Sequence, residues 1–161
     1  MKNLIESHTH NIYLKPGEVV VARNPVLVST VLGSCVAVTM FSPVYGFGAI
    51  CHAMLPNGPG PCEDLRYVDM ALRHIYRKAV ECGAAGNLVV KLFGGAQVLG
   101  VGNSAATGRT VGEQNVSRAL EIIASLGLTV ASADTGGLVG RKLYFCTRAG
   151  EVYLRKMRRT G

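Results

Sequence analysis

A cysteine and a histidine lie in two apolar runs that a short turn separates. Cys35 begins the run that ends at Phe41, and His52 lies in the run from Phe47 to Leu55. The residues between the runs, Ser42 to Gly46 (SPVYG), include a proline and a glycine, which are typical of turns. The pattern therefore predicts a hairpin of two strands that are buried on both faces.

The length of the turn decides which residues face each other. If the hairpin is symmetric about the bond between Pro43 and Val44, Cys35 lies opposite His52. Directly opposed residues have Cβ atoms ~4.5–5.5 Å apart, so the thiol would lie within reach of the imidazole. One more residue in the turn would move His52 to the other face of the hairpin.

A thiol beside an imidazole can act as a nucleophile. A free thiol has a pKa of ~8.5, and a neighbouring imidazolium stabilises the reactive thiolate. Gly33 and Ser34 let the backbone approach a substrate, and N–H groups here could hold an oxyanion. A third group usually orients the imidazole, and Ser29 and Thr30 supply hydroxyls upstream.

The alternative interpretation is structural, because free cysteines and satisfied histidines are common in cores. Small residues surround both side chains, at Gly33, Ser34, Gly48 and Ala49. A plain core has little use for so much unfilled volume. The composition of the hairpin therefore favours a reactive site.

Seven short blocks of sequence follow one another along the chain. They are Tyr13-Leu14-Lys15-Pro16-Gly17-Glu18, Leu32-Gly33-Ser34-Cys35-Val36-Ala37-Val38, His52-Ala53-Met54-Leu55-Pro56, Arg66-Tyr67-Val68-Asp69, Phe93-Gly94-Gly95-Ala96, Val111-Gly112 with Asn115, and Ala133-Asp134-Thr135-Gly136-Gly137. Together they resemble the chemoreceptor glutamine deamidase family, CheD, from Ile12 to Met157. The order of the blocks makes this resemblance more specific than any one motif.

The resemblance implies a cysteine–histidine–threonine hydrolase that converts chemoreceptor glutamines to glutamate. It makes Cys35 the nucleophile and His52 the base. The family's threonine falls at Ser29, which also shares the parity of Cys35 in an extended strand, and Thr30 is the alternative. Gln114 stands where the family tends to carry arginine. The resemblance also implies the receptor's cytoplasmic domain as substrate and a CheC-type phosphatase as partner.

The charge of the chain suits anionic partners. The formal net charge is +7, and basic residues crowd only at 155–159 (RKMRR). No RNP-like aromatic pattern, zinc-finger spacing or tryptophan accompanies them, so we expect no nucleic-acid function. We interpret the basic run as a solvated tail or as a contact for an acidic protein surface.

The cysteines indicate a reducing compartment. Their number, five, is odd, and no secretory signal is recognisable in the polar segment Met1–Asn11, so we expect a cytoplasmic protein with free thiols. No apolar run is long enough for a transmembrane helix. Cys51, His52 and Cys62 lack the usual spacing of metal ligands, and we expect neither a metal nor a cofactor.

Two stretches have the periodicity of amphipathic helices. In the first, apolar residues recur at three- and four-residue steps up to Cys82, with Asp64 as the expected N-cap and Asp69 facing water. The second, Gly112 to Leu126, is expected to bury Val116, Leu120 and Ile123.

Shorter apolar runs predict strands. The runs are Ile12–Leu14, Glu18–Ala22, Val26–Leu32, Leu88–Phe93, Leu128–Ala133, Arg141–Thr147 and Glu151–Met157. The loop Pro56–Pro61 is either a rim of the site or a plain connector. Gly100–Ala105 matches a dinucleotide-binding pattern weakly, and we interpret it as a loop.

These elements predict an α/β fold, a single-domain layered sandwich of mixed β-sheet with two main helices. We expect a flexible tail at 1–11, one domain at 12–157 and a basic tail at 158–161. The function we predict is protein-glutamine deamidation through a Cys35 thioester, and the same chemistry would hydrolyse glutamyl methyl esters. The alternative is a non-catalytic module that binds chemoreceptors or the CheC-type phosphatase.

Overall fold

A computed structural model of the chain describes residues 10–60, 63–98 and 108–158. Its strands are β1 (Asn11–Tyr13), β2 (Val19–Ala22), β3 (Leu27–Leu32), β4 (Val36–Ser42), β5 (Phe47–Ala53), β6 (Val89–Gly94), β7 (Val130–Thr135), β8 (Arg141–Cys146) and β9 (Val152–Lys156). Its helices are α1 (Val68–Glu81) and α2 (Val111–Ser125), with a 3₁₀ turn at Ala85–Asn87. Cys62, the Gly100–Ala105 motif and most of both predicted tails lie outside the described residues.

The strands form two sheets that pack face to face. One sheet has the order β1-β3-β8-β9 and the other β2-β5-β4-β6-β7. Residues such as Val28, Leu32, Ile50 and Phe145 fill the space between the sheets. The second face of the five-stranded sheet packs against both helices. The predicted α/β sandwich of mixed sheet and two helices is therefore confirmed.

The central hairpin has a longer turn than the sequence predicted. Ser42 pairs with Phe47, so the loop contains four residues, and His52 pairs with Ala37. Gly46 closes the loop with a φ of 63° and donates its N–H to the Ser42 carbonyl oxygen at 3.0 Å. The expected pairing of Cys35 with His52 is therefore wrong. The observed partner of His52, Ala37, lies two residues after the predicted partner, Cys35. Because strand side chains alternate with a period of two, Cys35 and His52 still belong to the same face of the hairpin.

Helix α1 begins later than predicted. Tyr67 occupies its cap position, whereas Asp64 accepts hydrogen bonds from the backbone N and the guanidinium group of Arg66. Asp69 is buried rather than facing water. Its Oδ1 accepts the N–H of Gly58 at 3.1 Å, so this carboxylate connects the helix to the loop that follows β5.

The predicted apolar stripe of helix α2 is confirmed at Ile123, which is buried, and at Val116, which packs half-buried on the core, but it is wrong at Leu120. Thr110 and Glu113 form a capping box at its start. The buried face includes Asn115, Ala119 and Ile122, whereas Leu120 is 46% exposed. A polar side chain therefore lies in the interface with the five-stranded sheet. Across the described part of the chain, no helix has the length and apolar character needed to cross a membrane.

Candidate active site

His52 and Thr30 meet in the layer between the two sheets. His52 lies on β5 and Thr30 on β3, and both side chains are buried. The hydroxyl oxygen of Thr30 is 2.7 Å from Nδ1 of His52. The same hydroxyl donates to the carbonyl oxygen of Leu14 at 2.7 Å. One hydroxyl thus connects the imidazole to the backbone that follows β1.

These two contacts fix the tautomer of the imidazole. A threonine hydroxyl carries one hydrogen, and a carbonyl oxygen can only accept. Because the Thr30 hydroxyl donates to Leu14, its contact with His52 requires a hydrogen on Nδ1. The lone pair of the neutral ring is then on Nε2. Nε2 is buried and has no hydrogen-bond partner in the described structure, so this atom is available as a base.

Burial keeps His52 neutral at physiological pH. Desolvation lowers the pKa of His52 to about 4, and the nearby Leu14 carbonyl opposes that shift. A neutral imidazole can accept a proton, whereas an imidazolium cannot. At neutral pH the ring is therefore in the form that can accept a proton, and desolvation makes it a weaker base than a free imidazole.

Cys35 lies between the bend at Gly33 and Ser34 and the start of β4, and it is half-buried. Its side chain contacts the core between the sheets, the layer that His52 also faces. Burial raises the pKa of the Cys35 thiol, and a hydrogen bond with its own backbone opposes that shift. The resting thiol and imidazole are therefore both neutral, which differs from the thiolate–imidazolium pair that the sequence suggested.

Ser29 does not reach the imidazole. Its neighbours in the sheet are Tyr13 on β1 and Tyr144 on β8. Successive residues of a strand point to opposite faces, and Thr30 faces the core, so Ser29 faces outward. The expectation that Ser29 contacts His52 is therefore wrong, and the residue that contacts His52 is Thr30.

The loop before β4 is held by the end of β6. Ala96 donates its N–H to the Gly33 carbonyl oxygen, and Gly95 donates to that of Cys35, both at 2.9 Å. Gly94 has a φ of 106°, and a Cβ atom there would overlap the Cys35 carbonyl oxygen. Only glycine fits at this position, because a side chain would displace the residue that carries the thiol.

Asn115 contacts this loop, a role that the sequence did not predict although the residue belongs to one of the seven blocks. Its Nδ2 donates to the carbonyl oxygens of Ser34 and Met54, each at 3.0 Å. These two carbonyls lie one residue before Cys35 and two residues after His52. The signal in the sequence was a polar residue at helical spacing between Gly112 and Ala119, inside the buried face of α2.

The other described cysteines lack such surroundings. Cys51 points into the core beneath the helices, where burial raises its pKa to about 12. Cys146 is buried and Cys82 is half-buried at the end of α1. The described residues include no cluster of three or more histidine, cysteine, aspartate or glutamate side chains that could hold a metal ion.

Comparisons with known proteins agree with the resemblance. Residues 54–156 match the family model described as CheD chemotactic sensory transduction. A protein of Geobacter sulfurreducens named "Probable chemoreceptor glutamine deamidase CheD 2" is 46% identical over 93% of this chain and 92% of its own length. A protein of Maridesulfovibrio salexigens with the corresponding CheD name is 43% identical over 94% and 95%. A relative of Methanococcus maripaludis with the same CheD name is 32% identical over 89% of this chain and 93% of its own length.

Proposed function

Because this chain belongs to the CheD family, we propose that it deamidates glutamine side chains of chemoreceptors, with Cys35 as nucleophile and His52 as base. The relatives' names supply the substrate. The observation that carries the proposed chemistry is the contact between Thr30 and Nδ1 of His52, because it leaves the Nε2 lone pair as the base.

The reaction begins from a neutral pair. Nε2 of His52 takes the thiol proton as the Cys35 sulfur attacks the carboxamide carbon of the glutamine. Backbone N–H groups of the Gly33–Cys35 loop stabilise the oxyanion of the tetrahedral intermediate. The imidazolium gives its proton to the nitrogen, ammonia leaves, and a thioester remains. His52 then activates a water molecule that hydrolyses the thioester to glutamate and regenerates the thiol.

Thr30 is the orienting member of this proposed site. During attack the ring carries a positive charge, and a hydrogen bond from Nδ1–H to the Thr30 oxygen stabilises that charge. The contact of Thr30 with the Leu14 carbonyl holds the hydroxyl in place. Thr30 therefore has the role that the resemblance assigned to a threonine.

The test is mass spectrometry of a purified receptor cytoplasmic fragment incubated with the protein. The wild-type protein should convert defined glutamines to glutamate, seen as the mass increase of amide-to-acid exchange. Cys35→Ser should abolish the conversion, because serine is a much weaker nucleophile here. Cys51→Ser is the matched control and should keep most of the rate. Full conversion by the Cys35 variant would exclude the thioester mechanism.

From the family resemblance alone, we also propose a cytoplasmic location and a CheC-type phosphatase as partner. The same resemblance leads us to propose that the protein hydrolyses glutamyl methyl esters by the same thioester route. A non-catalytic receptor-binding module would not require a reactive Cys35. The Cys35→Ser experiment therefore also separates the enzyme from that alternative.

A further inference from the structure

The ladder between β4 and β5 stops beside the nucleophile. Its last pair is Val36 with Ala53, so continued pairing would place Cys35 opposite Met54. Instead the N–H groups of Met54 and Leu55 both donate to the carbonyl oxygen of Arg66, at 2.7 and 3.2 Å. The backbone after His52 thus takes its partner from the segment that leads into α1, and the ends of β4 and β5 separate.

The amide of Asn115 lies between the separated ends. Its two Nδ2 hydrogens are both used, one by Ser34 and one by Met54. The side chain is completely buried. The assignment of N and O is determined by chemistry, because an amide oxygen cannot bond to two carbonyl oxygens. This one side chain therefore holds the backbone of the nucleophile and the backbone that follows the base.

The same contact sets the direction of the next N–H. All peptide bonds in the described chain are trans, and in a trans peptide the N–H points opposite to the C=O. The Ser34 carbonyl points at Asn115, so the N–H of Cys35 points away from it. That N–H belongs to the residue that carries the sulfur, which is the position an oxyanion donor needs.

We infer that Asn115 is a positioning residue of the reaction, which fixes the Ser34–Cys35 peptide so that the Cys35 N–H meets the developing oxyanion. This inference rests on the proposed function. Helix α2 holds Asn115 rigidly, because the Thr110–Glu113 capping box anchors its first turn. A Cβ atom on Gly112 would overlap the carbonyl oxygens of Gly95 and Ala96, so this turn packs directly on the glycine loop that holds Cys35.

The experiment measures kcat and KM of Asn115→Leu on the receptor fragment. Leucine is of similar size but cannot donate, so the Ser34–Cys35 peptide is free to shift. A misplacement of about 1 Å can cost about 10²-fold in rate, and we expect a loss of that order in kcat with KM within twofold of wild type. Gln114→Leu, one residue away and half-buried, is the control, because the Gln114 amide donates to the Arg109 carbonyl oxygen and not to the Cys35 loop, and it should keep the wild-type kcat.

A second readout separates this role from support of the fold or of the thiol. Alkylation of Cys35 by iodoacetamide needs the sulfur and the base but develops no oxyanion, so its rate should stay within twofold in Asn115→Leu. Asn115→Ser keeps one hydrogen-bond donor and should give a kcat between those of wild type and Asn115→Leu. If Asn115→Leu does not fold, the same measurements are made on Asn115→Ser.

Three results would overturn the inference. They are an undiminished kcat in the folded variants, a change in KM alone, and equal losses in kcat and alkylation rate. Wild-type turnover is measured in the same series, and its absence would refute the proposed function instead.

Discussion

Replacing Thr30 by valine should slow deamidation while leaving the fold intact. Valine has nearly the shape of threonine, so the fold is kept, but the loss of the donor to the Leu14 carbonyl should lower the free energy of unfolding by about 1–3 kcal/mol. The change removes the oxygen that lies 2.7 Å from Nδ1 of His52. The Leu14 carbonyl, which opposes the lowering of the His52 pKa, remains near the ring.

The size of the effect follows from the charge that the ring gains. A hydrogen bond to a charged group is worth about 1.5–3 kcal/mol, and His52 is charged only during the reaction. Each 1.36 kcal/mol corresponds to a factor of ten in rate, so kcat should fall by about 10- to 100-fold. Thr30→Ser keeps the hydroxyl but not the methyl group that restricts χ1, and it should retain most of the activity.

Ser29→Ala is the matched control, because Ser29 faces outward from the same strand. The assay is single-turnover deamidation of one receptor fragment by all three variants, followed by mass spectrometry. The ¹⁵N NMR signals of the ring in wild type should show a hydrogen on Nδ1. A large loss in Ser29→Ala with none in Thr30→Val would refute the assignment, and would mean that β3 is shifted by one residue.

Two predictions concern stability. Since burial lowers the pKa of His52 from 6.5 to about 4, the unfolded chain binds a proton at this residue before the folded chain does. The free energy of unfolding should therefore fall by about 3 kcal/mol as the pH drops from 6.5 to 4. Urea titrations should show a smaller drop in His52→Gln, and equal drops would contradict the pKa. Gly94→Ala should cost about 2–4 kcal/mol and abolish turnover, because it adds backbone strain and displaces Cys35. Gly46→Ala, with a φ of 63° and nothing within 4 Å, should cost only about 1–2 kcal/mol and remain active.

The hairpin shows how far a local pattern determines a site. Apolar runs and a turn signal were sufficient to predict β4 and β5, because both strands are buried on both faces. The turn length was wrong by two residues, since the Gly46 conformation that closes a four-residue loop is not distinguishable by composition from a tighter turn. Because side chains alternate along a strand with a period of two, an error of two residues in the turn length did not change the face of the hairpin predicted for Cys35 and His52.

The choice between Ser29 and Thr30 required the tertiary structure. Counting alternate residues from Ser29 to Cys35 assumes one continuous strand. The chain instead bends at Gly33 and passes from the four-stranded to the five-stranded sheet. Thr30 and Cys35 both face the space between the sheets, although their parity differs. The role of Asn115 was not predicted for a related reason, because its partners are backbone carbonyls that no side-chain pattern reveals.

The pairing of β3 has a consequence for the order in which activity is acquired during synthesis. The hairpin with Cys35 and His52 lies within the first third of the chain. β3 pairs with β8, however, and Thr30 lies opposite Leu143 near the C-terminus. A chain leaving the ribosome N-terminus first therefore contains the thiol and the imidazole long before β8 can close the sheet that holds Thr30. Nascent and truncated chains that lack β8 should therefore hold His52 without its orienting contact, and on the proposed mechanism they should be inactive.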